Sequence, residues 1–193
     1  VQGPSYSNLL VKRNAGTPNS KVDIAYDKLW IEGIEDTSGT FTLDITASGL
    51  LGLDTGAEAA DTWYYIWIIA KTDGTVSAIL SASATAPTMP AGYTLKRLVS
   101  MVRNTGGDFV DFVQNGIYWS NGTPILIFSV NTADAGTERD MSVFMPEKVF
   151  KYNLNMQVSV GKTGGGLGAI FKIEGQINGI YSNKIHAVVS DNS

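Results

Sequence analysis

Residues 63–70 read Trp63-Tyr64-Tyr65-Ile66-Trp67-Ile68-Ile69-Ala70, the longest near-apolar run in the chain. The run is rich in aromatic and β-branched side chains and is apolar on both faces of an extended strand. This composition is typical of a central strand that is covered on each side. The run is far shorter than the ~20 residues of a membrane-spanning helix, so no membrane insertion is predicted. We expect it to form a strand at the core of the fold.

Shorter strand patterns recur on both sides of this run. Apolar and polar residues alternate over 22–27, 40–46 and 150–160, which places the apolar side chains on one face of each strand. Clusters rich in Gly, Asn, Ser and Pro separate the patterns. The sequence therefore predicts an all-β fold, an antiparallel, jelly-roll-like β-sandwich of roughly 8–11 strands. The other predicted strands are 76–80, 93–102, 109–113, 117–120, 125–130, 141–145, 169–173 and 185–189.

Turn signals connect several of these strands. Asp73-Gly74, Asn115-Gly116 and Asn121-Gly122 each predict a hairpin, because Asn-Gly and Asp-Gly tolerate the positive φ angles of a type I′ turn. Residues 85–92 contain two prolines, which cannot donate hydrogen bonds to a central strand ladder. We expect this segment to cross over between sheets as a rigid connector.

Composition limits the organisation and the partners of the chain. Its 193 residues are 44% hydrophobic and 17% charged, which suits a packed globular domain. Residues 1–20 are rich in Gly, Pro, Asn and Ser and predict an N-terminal arm or linker, with a single β-sandwich domain over 21–193. The net charge of −4, without a Lys/Arg-rich run, argues against nucleic acid as a partner. The absence of cysteine excludes disulfides, thiolate metal sites and cysteine nucleophiles.

One short motif carries a catalytic hypothesis. Asp54-Thr55-Gly56 resembles the active-site loop of the retroviral-type aspartic proteases, in which two aspartates share a proton and activate water. Because the motif occurs once in this chain, such chemistry would need a homodimer. The same residues are also ordinary turn formers ahead of a strand. No further pattern typical of catalysis is present, so the sequence predicts no enzyme activity, no catalytic residues, no metal and no cofactor.

Four residues around a predicted hairpin carry a binding hypothesis. Tyr118 and Trp119 lie between two Asn-Gly turns, with the amides of Asn115 and Asn121 beside them. A flat aromatic ring covers the apolar C–H face of a sugar, and a neighbouring amide can hydrogen-bond its hydroxyls. These four residues are therefore the candidate glycan-binding residues. The alternative is that at least one of the two rings packs in the core.

Part of the chain resembles a group of viral proteins. The residues that carry the likeness are Leu53-Asp54-Thr55-Gly56, the run from Ala60 to Ile69, Asp73-Gly74-Thr75, the run from Ser81 to Thr94, and Lys96-Arg97-Leu98. Together they resemble a segment that recurs in tail-fibre and other appendage proteins of tailed-bacteriophage virions. The specific part is the combination of a Trp-Tyr-Tyr strand with the Ser-Ala-Thr-Ala-Pro crossover. In this interpretation Asp54-Thr55-Gly56 is the turn that leads into the central strand.

The resemblance implies a non-enzymatic structural protein located in the virion. It would be a fibre or spike domain, of a tail fibre or a head fibre, that mediates attachment to the host surface or assembly of the virion. Such domains are commonly homotrimers, so the expected partners are copies of the chain, other virion proteins and a host-surface glycan. Two alternatives stay open. One is a monomeric carbohydrate-binding β-sandwich module, and the other is a dimeric retroviral-type aspartic protease that acts through Asp54-Thr55-Gly56.

Overall fold

The computed structural model describes residues 5–122 and three strand segments beyond them, at 138–140, 151–152 and 184–186. The chain packs as two compact units. The first contains residues 1–123 and 150–153, and the second contains residues 124–149 and 154–193, which differs from the single domain expected over 21–193. In the second unit the two described strands, 138–140 and 184–186, pair antiparallel.

All regular structure within the described ranges is β-strand. The predicted all-β class is confirmed, although several of the strands are only two or three residues long. The strands are β1 (Tyr6–Ser7), β2 (Leu10–Arg13), β3 (Lys21–Tyr26), β4 (Lys28–Ile31), β5 (Ile34–Asp36), β6 (Gly39–Asp44), β7 (Trp63–Ala70), β8 (Val76–Ser81), β9 (Leu95–Thr105), β10 (Asp108–Phe109), β11 (Phe112–Asn115), β12 (Tyr118–Asn121), β13 (Glu138–Asp140), β14 (Lys151–Tyr152) and β15 (Lys184–His186).

The strands of the first unit form three sheets. The six-stranded sheet has the order β14-β12-β11-β2-β3-β6, the four-stranded sheet β10-β9-β7-β8 and the three-stranded sheet β1-β4-β5. Neighbouring strands are antiparallel, except that β12 and β14 pair in parallel. Buried side chains from all three sheets, such as Val11, Leu29 and Tyr64, share one hydrophobic core. This antiparallel, sandwich-like arrangement confirms the predicted fold class.

Strand β7 is the central strand that its sequence predicts. It lies between β8 and β9, and its side chains alternate between two apolar clusters. Ile66 and Ile68 join the main core, whereas Trp67 and Ile69 pack on the opposite face of the sheet. Because both faces are covered, the strand has no polar face, and this explains why its sequence lacks the period-two alternation of the outer strands.

The proline-containing connector takes a different path from the one expected. It joins β8 to β9, which belong to the same sheet, so it crosses one face of that sheet instead of passing between sheets. Along the way Met89 and Tyr93 pack against Trp67 and Ile69, and the Trp67 indole Nε1–H donates to Ser83 O at 3.2 Å. The prolines keep the segment out of the strand ladder, as expected, but proline content does not show which two strands a connector joins.

From Tyr6 onward, the N-terminal segment forms strands of the sheets and is not an arm. From Leu10 the chain forms β2, which pairs with β3 on one side and β11 on the other, and Val11 is fully buried. The Gly-, Pro- and Asn-rich residues that follow form the turn between β2 and β3. In that turn Asn14 Oδ1 accepts hydrogen bonds from the backbone N–H groups of Gly16 and Thr17. The Gly, Pro and Asn content of residues 1–20 therefore comes largely from a hairpin turn. Because these residues dominate the composition, the composition does not indicate the four-residue strand β2.

Two of the three predicted hairpins are present. Asp73-Gly74 connects β7 to β8 with φ of 90° at Gly74, and Asn115-Gly116 connects β11 to β12 with φ of 59° at Gly116. The hairpin after Asn121-Gly122 lies outside the described residues. So do the strands predicted over 125–130, 141–145 and 169–173, and most of the pattern at 150–160, of which the structure describes 151–152 as β14.

A buried tyrosine gives the fold a dependence on alkaline pH. The Tyr26 hydroxyl donates to Asp36 Oδ2 at 2.6 Å, and burial, followed by this carboxylate, raises the pKa of Tyr26 far above its usual value of 10. The folded protein therefore keeps a proton that the unfolded chain loses above pH ~10. This contribution to stability is complete below pH ~10 and is lost as the pH rises, by up to about 1.4 kcal/mol per pH unit.

We expect urea unfolding midpoints to fall between pH 9 and pH 11.5, and Tyr26→Phe to reduce that fall. The matched control is Tyr118→Phe, because Tyr118 lies at an exposed position. Equal pH profiles for wild type and Tyr26→Phe would contradict this account of Tyr26.

Candidate functional site

The Asp-Thr-Gly motif lies in a loop that runs along the outer edge of β8. The backbone N–H groups of Leu51 and Asp54 donate to Ala78 O and Leu80 O, and the N–H of Leu80 donates to Gly52 O, all at 2.8–2.9 Å. The Asp44 N–H at the end of β6 also donates to Leu51 O. The loop thereby covers a sheet edge whose free N–H and C=O groups could otherwise pair with another chain.

The Asp54 carboxylate joins this loop to the proline-containing connector. Its Oδ2 accepts a hydrogen bond from the Thr88 N–H at 2.6 Å, while its Oδ1 is buried without a hydrogen-bond partner among the described residues. Beside it is a cavity of about 390 Å³ that is lined by Asp54, Thr55, Ser81, Ala82, Ser83, Ala86 and Thr88. The bond gives Asp54 a structural role, because it connects the loop that precedes β7 to the connector that follows β8.

Removal of the Asp54 carboxylate is expected to destabilise the fold. Asp54→Ala removes the acceptor of the Thr88 N–H, and because water can reach this exposed bond the expected cost is about 1 kcal/mol in the free energy of unfolding. Asp54→Asn keeps an oxygen that can accept the bond, so its cost is smaller. The measurement is urea unfolding followed by Trp fluorescence, with Asp108→Ala at an exposed strand position as the control.

The protease hypothesis makes a different prediction for the same variants. In a dimeric aspartic protease, Asp54→Asn would abolish peptide cleavage while leaving the fold intact. Equal stability of Asp54→Ala and wild type, together with cleavage that Asp54→Asn abolishes, would contradict the structural role.

Trp119 is a core residue and not a sugar platform. It is 1% exposed, and its indole Nε1–H donates to Met101 O at 3.2 Å. Its ring stacks on Phe112, with ring centroids 5.7 Å apart, and meets Trp63 edge-on at 6.1 Å. The core-packing alternative therefore holds for this ring.

The remaining candidate glycan residues are divided between the two faces of the β11–β12 hairpin. Tyr118 is 48% exposed and lies directly opposite Asn115, which is also exposed. Asn121 lies two residues after Trp119 and opposite the buried Phe112, and so belongs to the inner face. Of the four candidate glycan-binding residues, only Tyr118 and Asn115 lie on the same outward face of the hairpin. With the exposed Val113 and Ile117 beside them they form a surface that we call the Tyr118 patch.

An exposed aromatic residue outside the predicted set lies on β4. Trp30 is 42% exposed, whereas its neighbours Leu29 and Ile31 are fully buried. The signal that could have identified it is the alternation in Lys28-Leu29-Trp30-Ile31, which places Lys28 and Trp30 on one face and the two aliphatic residues on the other. A four-residue pattern is short, and the sequence alone gives no strand there.

Comparison with known proteins gives no relatives: no family model, curated protein or solved structure matches the chain. Among the described residues, no helix is long and apolar enough to cross a membrane. The same residues contain no group of three or more His, Asp or Glu side chains arranged to hold a metal ion.

Proposed function

We propose that the chain is a non-enzymatic structural domain of a tailed-bacteriophage virion, part of a fibre or spike that mediates attachment to the host or assembly of the particle. The observation that carries the proposal is the hydrogen bond that the Asp54 carboxylate accepts from the Thr88 N–H. The segment that resembles appendage proteins begins at Leu53 and ends at Leu98, and the bond from Thr88 to Asp54 joins its loop to its connector across β8. A carboxylate that joins two segments in this way supports a mechanical role for the domain.

The Tyr118 patch supports self-association, for which we propose the homotrimer that the resemblance to appendage proteins implies. Val113, Ile117 and Tyr118 are each more than one-third exposed and lie on the same hairpin of the six-stranded sheet. Exposed apolar side chains close together on one sheet face are typical of a contact between subunits. In a trimer, three copies of one weak attachment site act together and raise the overall affinity by ~10²–10⁴.

The oligomeric state tests this part of the proposal. Light scattering coupled to size exclusion, at two protein concentrations and two salt levels, is expected to give a mass near three times the 20.6 kDa chain. Val113→Lys places a charge in the patch and is expected to give monomers. The control is Thr40→Lys, because Thr40 is exposed on β6 at the far edge of the same sheet. A wild-type monomer, or a trimer that survives Val113→Lys, would contradict self-association through the patch.

The place of the chain in a particle needs a separate test. Antibodies against the chain should decorate virions of the phage or prophage that encodes it, in electron micrographs, and mass spectrometry should detect the chain in purified particles. Its absence from purified particles would contradict the virion proposal, whatever the chain binds.

A second candidate function is a carbohydrate-binding module that acts as a monomer. The observation that favours it is the outward Tyr118 ring with the Asn115 side chain directly opposite. This candidate predicts a monomer whose glycan binding is lost in Tyr118→Ala and in Asn115→Ala. The trimer proposal predicts that Tyr118→Ala weakens association instead.

A further inference from the structure

We propose that Trp30 is the platform of a glycan-binding site that takes an uncharged hexopyranose residue of a surface polysaccharide. The inference rests on the attachment function proposed above and names what the domain recognises. Trp30 is 42% exposed as a residue, although burial of a large apolar side chain is worth about 1.5–3 kcal/mol. Trp67 and Trp119 are buried, and each donates its indole N–H to a backbone carbonyl.

The strand beneath the Trp30 ring is held on both sides. The Trp30 N–H donates to Ser5 O at 3.0 Å, and the Trp30 carbonyl accepts from Arg97 Nη1 at 2.7 Å. Arg97 Nη2 also donates to Ser5 Oγ at 2.6 Å, so one guanidinium connects β9 to both segments. Leu29 and Ile31 anchor the opposite face of β4 in the core. Because this backbone is already fixed, it loses little conformational entropy when a sugar stacks on the ring.

Polar groups suited to sugar hydroxyls flank the ring. Glu35 lies directly opposite Trp30 in the β4–β5 pair, and Lys28 lies on the same face two residues before Trp30. Lys28 Nζ and Glu35 Oε1 are 3.0 Å apart, and both side chains are about half-exposed. The pair offers a hydrogen-bond donor and an acceptor beside an apolar surface, and a pyranose presents hydroxyls around an apolar C–H face. Because the two charges cancel, the site favours an uncharged sugar over an anionic one.

The two exposed rings, Tyr118 and Trp30, have different neighbours, and these favour different partners. Tyr118 has a single amide, that of Asn115, directly opposite, and its other exposed neighbours on the hairpin are the apolar Val113 and Ile117. Trp30 lies beside an ion pair. A subunit contact therefore fits the Tyr118 patch better, and a sugar fits Trp30 better.

Indole N–H signals in NMR spectra of the ¹⁵N-labelled chain test the site. The chain has four tryptophans, and the signal lost in Trp30→Tyr identifies Trp30. The probes are cellohexaose, laminarihexaose, maltohexaose and β-1,4-galactotetraose, with 3′-sialyllactose as the anionic comparison. We expect at least one uncharged oligosaccharide to shift the Trp30 signal saturably, with a Kd on the order of 1 mM. The signals of Trp67 and Trp119 should stay in place, because both indoles are buried and hydrogen-bonded.

Matched variants locate the binding. Trp30→Ala should abolish it, Trp30→Tyr should retain it within about tenfold, and Glu35→Gln should weaken it. Tyr118→Ala, which removes the other exposed ring, should leave it unchanged. Unaltered Trp67 and Trp119 signals in Trp30→Ala verify that the variant is folded.

Three outcomes would overturn the proposal. They are the absence of any saturable Trp30 shift with all four uncharged probes, binding that is lost in Tyr118→Ala but kept in Trp30→Ala, and a Trp30 signal that moves with protein concentration alone, which would make this face a subunit contact. Failure here is distinct from failure of the virion proposal. Decorated particles without sugar binding overturn only the Trp30 site, and sugar binding by a chain absent from particles overturns only the virion function.

Discussion

Trp119→Ala is expected to lower the free energy of unfolding by about 3–5 kcal/mol, a large part of the ~5–15 kcal/mol that a domain of this kind has. The substitution removes the stack on Phe112 and the edge contact with Trp63, and leaves a cavity in the main core. It also leaves Met101 O without the indole N–H that it accepts in the wild type.

The control for this variant is its neighbour in the chain. In the Val113→Lys background, which is expected to be monomeric, Tyr118→Ala removes an aromatic ring from the exposed face, so its cost should stay within about 0.5 kcal/mol. Urea unfolding of the two variants, followed by circular dichroism and analysed with a common slope, gives the comparison. Similar losses for both variants would mean that Trp119 is not the core residue described here.

Tyr118 and Trp119 show which features of the candidate site can be predicted from the sequence and which cannot. Because side chains alternate across a strand, adjacent Tyr118 and Trp119 must face opposite sides, and that much follows from the sequence alone. Which of them faces the core depends on β2 and β9, strands far away in the chain, whose residues Val11 and Met101 share the interior with Trp119. The order of strands is a tertiary property, and no local pattern encodes it.

The same distinction separates the correct fold predictions from the wrong ones. Strand β7 is predictable because its residues are apolar on both faces, which is typical of a strand that is covered on both sides. The prolines of the connector at 85–92 identify it as irregular, but they do not reveal its path over one sheet, because the position of β9 beside β7 is not a local property. Residues 1–20 have the composition of an arm because the turn after β2 dominates it.

The loop that covers β8 is the second place where one substitution should have a large effect. A methyl group on Gly52 would fall inside van der Waals distance of the carbonyl group of Ala47. That carbonyl cannot easily move away, because it accepts the Leu53 N–H at 2.8 Å. Gly52 itself is buried, and its carbonyl accepts the Leu80 N–H from β8. We therefore expect Gly52→Ala to lower the free energy of unfolding by about 3 kcal/mol, near the upper end of the cost of overpacking.

Two other glycines separate this clash from effects of backbone conformation. Gly56 has a φ of 79° and open space where the methyl group of an alanine would lie, so Gly56→Ala should cost only about 1 kcal/mol of backbone strain. Gly16 has ordinary contacts and no positive φ, so Gly16→Ala should be close to neutral. Urea unfolding gives the three values. A Gly52→Ala variant as stable as Gly16→Ala would contradict the packing described for the loop.

Gly52→Ala should also change how the protein behaves in solution. If the loop can no longer lie along β8, the backbone groups of Ala78 and Leu80 lose their partners, and the edge of the four-stranded sheet is open to pairing with other chains. We expect concentration-dependent aggregation of Gly52→Ala at temperatures where Trp119→Ala, which damages the core but leaves the edge covered, still unfolds reversibly. Static light scattering during thermal unfolding distinguishes the two. Equal aggregation of both variants would mean that general instability, and not an uncovered edge, controls the association, because the loop then contributes no protection beyond its share of the folding free energy.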